Sequence, residues 1–95
     1  MISYLLAILE SDEDKLRLIE LYEEHHVRVE QTALRILKDP HDAEDAVQNT
    51  FLQVIRHFDK ISEIPCKKLG FWLISIAKNE ALMILRHKRR EIPQE

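Results

Sequence analysis

The chain has 95 residues, 45% hydrophobic and 33% charged, with a formal net charge of −3. One domain of this size buries roughly 60–70% of its unfolded surface, and the composition fits a globular chain rather than a disordered one. One glycine and three prolines leave too few turn formers for a β-sandwich or barrel, so an all-α fold is expected.

Cys66 is the lone cysteine, which rules out an internal disulfide. With no secretory signal pattern, the reducing cytoplasm is the expected compartment. The charge is unevenly placed. Residues 1–64 hold seven basic and fourteen acidic side chains, whereas residues 65–95 hold seven basic and three acidic. An acidic body with a basic end implies two surfaces with two different partners.

The apolar stretch Ile2–Leu9 is far too short to span a bilayer, which needs about 20 residues, and reads as a short helix packed on the core. A first long helix is expected from about Asp14 to Leu37. Its predicted buried stripe is Leu16, Ile19, Tyr22, His26, Ala33, Ile36 and Leu37. Lys38-Asp39-Pro40 ends it and starts the next, because Asp39 is a good N-cap and Pro40 suits the first helical position. That second helix should run to about Phe58 and bury Ala43, Ala46, Val47, Phe51, Val54, Ile55 and Phe58. Its other stripe, Asp45, Gln48, Asn49, Leu52 and Arg56, mixes a carboxylate, amides and an exposed leucine. A loop is expected over Asp59–Gly70, then a third long helix from Phe71 to about Arg90. The predicted architecture is a small antiparallel helical bundle of three long helices plus a short N-terminal one.

On the third helix, Phe71, Ser75, Lys78, Asn79, Leu82, Arg86 and Arg89 share one stripe, while Leu73, Ile76, Ala77 and Ile84 share the core stripe. Cations bind phosphates, aromatics stack on unpaired bases and asparagine reads base edges. The run Arg86-His87-Lys88-Arg89-Arg90 has a second explanation, cations complementing the negative end of a helix dipole. The residues alone leave both readings open. Of the adjacent Phe71 and Trp72, one is expected buried and one partly exposed. The five histidines show no His-Glu-x-x-His or Cys-x-x-Cys spacing, so no metal is expected. No cofactor loop or nucleophile elbow is present, which argues against an enzyme. The carboxylates of residues 42–45 read as helix-start charges rather than general acids.

Residues Asp42-Ala43-Glu44-Asp45-Ala46-Val47-Gln48-Asn49-Thr50-Phe51-Leu52, then Phe71-Trp72-Leu73-Ile74-Ser75-Ile76-Ala77-Lys78-Asn79, then the basic run, closely resemble region 2 of the extracytoplasmic-function sigma factors. The family pattern is an A-E-D-A-V-Q-x-x-F-L helix, a loop, a W-L-x-x-I-A-x-N helix and an arginine-rich end, in this order. The resemblance covers about residues 14–90.

It implies that Asp45, Gln48, Asn49, Leu52 and Arg56 face the clamp helices of the largest subunit of core RNA polymerase. It also implies that the non-template strand of the minus-ten promoter element is recognised and held open by the loop and third helix. The residues so implicated are Lys67, Lys68, Phe71, Ser75, Lys78, Asn79, Arg86, Lys88, Arg89 and Arg90, with a flipped base in a pocket made largely by residues 62–70. An anti-sigma protein covering both surfaces is a further partner implied by the family.

Two departures stand out. Met83 occupies a position where the family commonly has an aspartate, so part of the helix's polar support is expected to be missing. The family's second domain, which reads the minus-thirty-five element, is not formed by the few residues after Pro93, and the expectation is a single region 2 domain cut in the linker in preference to the alternative, a naturally short sigma-like protein. The rival reading is a helical protein-interaction module that sequesters a regulator without binding promoters.

Overall fold

The computed structural model describes residues 2–91, with side chains described through residue 89. Its helices are α1 (Ile2–Ile8), α2 (Asp12–Leu37), α3 (Pro40–Arg56), α4 (Phe58–Ile61) and α5 (Cys66–Glu91). The two 26-residue helices α2 and α5 are each about 39 Å long at 1.5 Å per residue. They draw the molecule out to 52 × 28 × 20 Å. The radius of gyration of 14.2 Å exceeds the value of roughly 12 Å expected for a spherical domain of this length.

Local chemistry sets each boundary. Ser11 caps α2, its Oγ accepting from the Asp14 backbone N–H at 3.3 Å. Asp12, Glu13 and Asp14 then fill the first turn, where the dipole favours negative charge. Lys38 ends α2 in the left-handed conformation (φ 57°, ψ 22°), its N–H bonded to the Leu34 carbonyl at 2.8 Å. A lysine there carries the Cβ crowding that glycine escapes. The chain turns at once into α3, capped by Asp39, whose Oδ1 accepts from His41 N–H at 2.8 Å and Asp42 N–H at 3.2 Å. Pro40 takes the first helical position as expected.

The second and third expected elements need correction. α3 stops at Arg56, with His57 leaving helical geometry (φ −117°, ψ 25°). Phe58 therefore opens the separate single turn α4, which the fully buried Ile61 anchors. The expected loop over residues 59–70 shrinks to residues 62–65. α5 starts at Cys66 rather than Phe71, with the Pro65 carbonyl accepting from Lys68 N–H at 2.8 Å and Leu69 N–H at 3.1 Å. Proline just before a helix costs nothing because its missing N–H would have been unpaired. Gly70 lies inside α5, against α2: a Cβ there would sit 3.5 Å from His25 Cε1, ordinary van der Waals contact.

Two clusters make the core. Leu5, Leu18, Leu21, Val29, Val47, Phe51, Val54, Ile61, Leu69, Leu73 and Ala77 form the larger. The smaller, Ala33, Leu37, Ala43, Ala46 and Ala81, is mostly alanine, which lets α2, α3 and α5 approach closely. α1 docks through Leu5 as the sequence implied. The α3 core stripe holds the expected Ala43, Ala46, Val47, Phe51 and Val54, whereas Ile55 and Phe58, expected buried with them, are only half-buried. Thr50 joins the stripe; its Oγ1–H donates to the Ala46 carbonyl at 2.7 Å, which satisfies a hydroxyl with no exposure. On α2 the predicted stripe is in the wrong register. Leu18, Leu21, His25, Val29 and Thr32 are buried with Ala33 and Leu37, whereas Leu16 is 63% exposed. Tyr22 and His26 are half-buried, their rings stacked at 4.6 Å, and Tyr22 packs on Phe51 at 5.0 Å. Burial, then Glu30 and Glu44 nearby, raise the Tyr22 hydroxyl pKa.

No described helix is long and apolar enough to cross a membrane.

Candidate functional site

α5 carries the stripe read from the sequence. Phe71, Ser75, Lys78, Asn79, Leu82, Arg86 and Arg89 are all exposed, while Leu69, Leu73, Ala77 and Ala81 on the opposite face are buried. Phe71 is 73% exposed, a large aromatic with no intramolecular reason to face water. Neither it nor its neighbour is fully inside, since Trp72 is half-buried. That corrects the expectation of one buried ring.

Trp72 instead lines a hollow of about 570 Å³ with Lys60, Glu63, Ile64, Pro65 and Lys68. Ile64, Pro65 and the indole are apolar, and the two lysines outnumber the one carboxylate, Glu63, in the lining. Such a hollow can take a flat unpaired base against the ring and hold its phosphate by charge. Because α5 begins at Cys66, Lys68 and Trp72 stand four residues apart on one helical face. Lys67 is exposed on the first turn but does not line the hollow. Sequence reasoning missed Lys60 and the role of Trp72. The four-residue spacing of Lys68 and Trp72 would have exposed the latter had the helix start been placed just after Pro65.

The α3 stripe is only partly open. Asp45 and Arg56 are exposed, Gln48 and Asn49 are half-buried, and Leu52 packs against the main core rather than standing free as expected. α3 and α5 run antiparallel. Asp42 meets Lys88 at one end, and Phe51 and Val54 share the core cluster of Leu69 and Leu73 farther along. Between the two helices lies a groove of about 870 Å³ lined by Asp42, Asp45, Gln48 and Asn49 on one side. Glu80, Met83, Ile84, Arg86, His87 and Lys88 line the other. Met83 is 57% exposed.

The basic end of α5 is not uniform. The Lys88 ammonium contacts the Asp42 carboxylate and stands 3.9 Å from Asp39 Oδ2. It therefore ties the end of α5 to the start of α3, where the sequence had offered it as a phosphate contact. The Asp42 and His41 backbone N–H groups hold the Asp39 carboxyl pKa below its ordinary value, with Lys88 and His41 charge adding to the effect. Arg86 and Arg89 remain exposed on the ridge with Asn79. The Arg90 side chain lies outside the described residues. Among the described residues no three His, Cys, Asp or Glu side chains are grouped to hold a metal ion.

An antiparallel helical bundle with an exposed aromatic and cationic ridge, an apolar hollow at one end and a mixed groove beside it is equipped for binding. The Sigma-70 region 2 family matches residues 21–91, and the chain belongs to that family. It is also similar to the RNA polymerase sigma factor CarQ of Myxococcus xanthus, at 37% identity over 70 residues. That match covers 74% of this chain and 39% of the relative, so it spans about two fifths of the relative's length. No solved structure matches the chain significantly.

Proposed function

We propose that this chain is the part of a sigma factor that docks on bacterial core RNA polymerase and recognises and opens the minus-ten promoter element. The observation that carries the reading is the continuity of the α5 ridge, Phe71 to Arg89, with the Trp72 hollow at its start. One face thus offers a site for an extruded base and, along the same rod, Asn79 for a base edge and Arg86 and Arg89 for backbone phosphates. On this reading the chain is a non-enzymatic factor working in the cytoplasm. Its second surface, Asp45, Gln48 and Asn49 of α3, meets the clamp helices of the largest polymerase subunit. An anti-sigma protein would silence it by covering either face.

The energetics support a division of labour. Extruding a base costs a few kcal/mol, and stacking returns about 1–3 kcal/mol per base. The two nearly cancel, so strand opening draws on polymerase binding and the isolated chain is a weak DNA ligand.

The direct test is retention of the chain by immobilised core RNA polymerase. Leu52→Ala would disturb the core, so Asp45→Ala/Gln48→Ala is the cleaner pair and should reduce retention. If the unmutated chain is not retained, the reading fails.

A further inference from the structure

The groove between α3 and α5 places both sets of expected site residues around one space. The exposed part of α3 is small: Asp45 is open, Gln48 and Asn49 are half-buried, and Leu52 is largely taken up by the core. These groups are polar, whereas interfaces are anchored by desolvated apolar side chains at their centre. The apolar anchor that α3 lacks lies across the groove on α5. Met83, more than half exposed, and Ile84, half-buried, are lining residues of the same groove. Methionine adapts well to a partner's surface because its side chain is flexible and polarisable. Glu80, one turn before Met83, adds a second carboxylate to that of Asp45.

We propose that α5 supplies the second wall of the polymerase-docking surface. Glu80, Met83 and Ile84, facing Asp45, Gln48 and Asn49 across the groove, receive one helix of core RNA polymerase. That helix carries a cation for the two carboxylates and an apolar side chain for Met83. The inference rests on the docking reading above and extends it to a helix otherwise assigned to DNA. Charge selects the occupant. Three carboxylates, Asp42, Asp45 and Glu80, outnumber the two lining cations Arg86 and Lys88, and Lys88 is already engaged by Asp42, so the groove favours a lysine or arginine over a nucleic-acid backbone. The alanines beneath, Ala43, Ala46 and Ala81, keep the two walls close, so a partner side chain entering the groove touches both helices.

The test measures binding of the 95-residue chain to core RNA polymerase for four variants: Met83→Ala, Glu80→Lys, Asp45→Ala/Gln48→Ala and Glu23→Lys. The last is a charge reversal on the remote exposed face of α2. Met83→Ala and Glu80→Lys should each weaken binding about fivefold to tenfold, and Glu23→Lys should leave it unchanged. Melting curves should match the parent for Met83→Ala, because the side chain is solvent-facing. If the parent binds and the α3 pair weakens it while Met83→Ala and Glu80→Lys bind like the parent, α3 docks alone and the inference is overturned with the docking reading intact. If Glu80→Lys instead strengthens single-stranded DNA binding and leaves polymerase binding unchanged, the groove belongs to DNA and the inference is overturned. If the parent does not bind, both fall.

Discussion

Replacing Arg86 and Arg89 by alanine should change how promoter-strand binding responds to salt, and the structure sets the amount. Both guanidinium groups are exposed, three residues apart on one side of α5. Each is expected to neutralise one phosphate. Single strands release about 0.7 counterion per neutralised phosphate, so the double variant should lower the slope of log affinity against log salt by about 1.4. Carried from 1 M to 0.1 M salt, that slope makes the variant roughly 25-fold weaker, about 1.9 kcal/mol. Lys88 provides the internal contrast. Its ammonium is already engaged by Asp42, so Lys88→Ala should lower the slope by well under 0.7. The assay is fluorescence anisotropy of a labelled single strand bearing the minus-ten element, bound to the chain with core polymerase over a range of potassium chloride. A slope unchanged in Arg86→Ala/Arg89→Ala would show that the basic end only complements the helix dipole. A full one-phosphate loss in Lys88→Ala would refute its assignment to the α3–α5 tie.

Two further outcomes concern stability. Lys38→Gly should stabilise the fold: relieving the left-handed strain gains about 1–2 kcal/mol, and the extra freedom of glycine in the unfolded chain offsets about 0.5–1 kcal/mol. The remaining gain should raise the melting temperature by about 4 °C, and no rise in a calorimetric scan would show that Lys38 is unstrained. Asp39 should make stability depend on acid. Its folded pKa is lowered by the Asp42 and His41 N–H bonds, so its contribution is present above the ordinary aspartate value of about 3.9. It is lost as pH falls through the lower folded value. Asp39→Asn keeps the cap and removes the titration, so the gap in melting temperature between the two proteins should narrow as pH drops below about 4; a constant gap would count against the shift.

What could be read from the sequence followed the strength of each local signal. The core face of α3 was legible because Ala43, Ala46, Val47, Phe51 and Val54 fall on one stripe and charged groups on the other. On α2 the apolar residues Leu16, Leu18, Ile19, Leu21, Tyr22, Val27 and Val29 populate nearly every side. Two registers satisfy helical periodicity there, and only packing against α1, α3 and α5 selects Leu18, Leu21 and Val29. The loop was misjudged because proline and glycine both read as breakers. In the folded chain Pro65 opens a helix and Gly70 lies within it beside His25. The exposed ridge of α5 was legible as a stripe. The hollow was not, since Lys60 comes from α4 and Trp72 from α5. The pairing of Lys88 was hidden because its partners, Asp39 and Asp42, are more than forty residues away in sequence.

The early start of α5 makes the whole site a ruler. From Trp72 to Arg89 one unbroken helix spans about 26 Å, the length of seven or eight nucleotides at a stacked rise of about 3.4 Å. The distance between the Trp72 hollow and Arg86 and Arg89 is therefore fixed by a rigid element, not by a loop that could stretch. So is their angular alignment, because each added residue turns everything after it by about 100°. One alanine inserted after Ala77 would turn Arg86 and Arg89 by about 100° relative to Phe71 and Ser75 while changing the length by only about 1.5 Å. On the proposed reading, the spacing of contacts along the strand is in this sense written in the number of residues in α5.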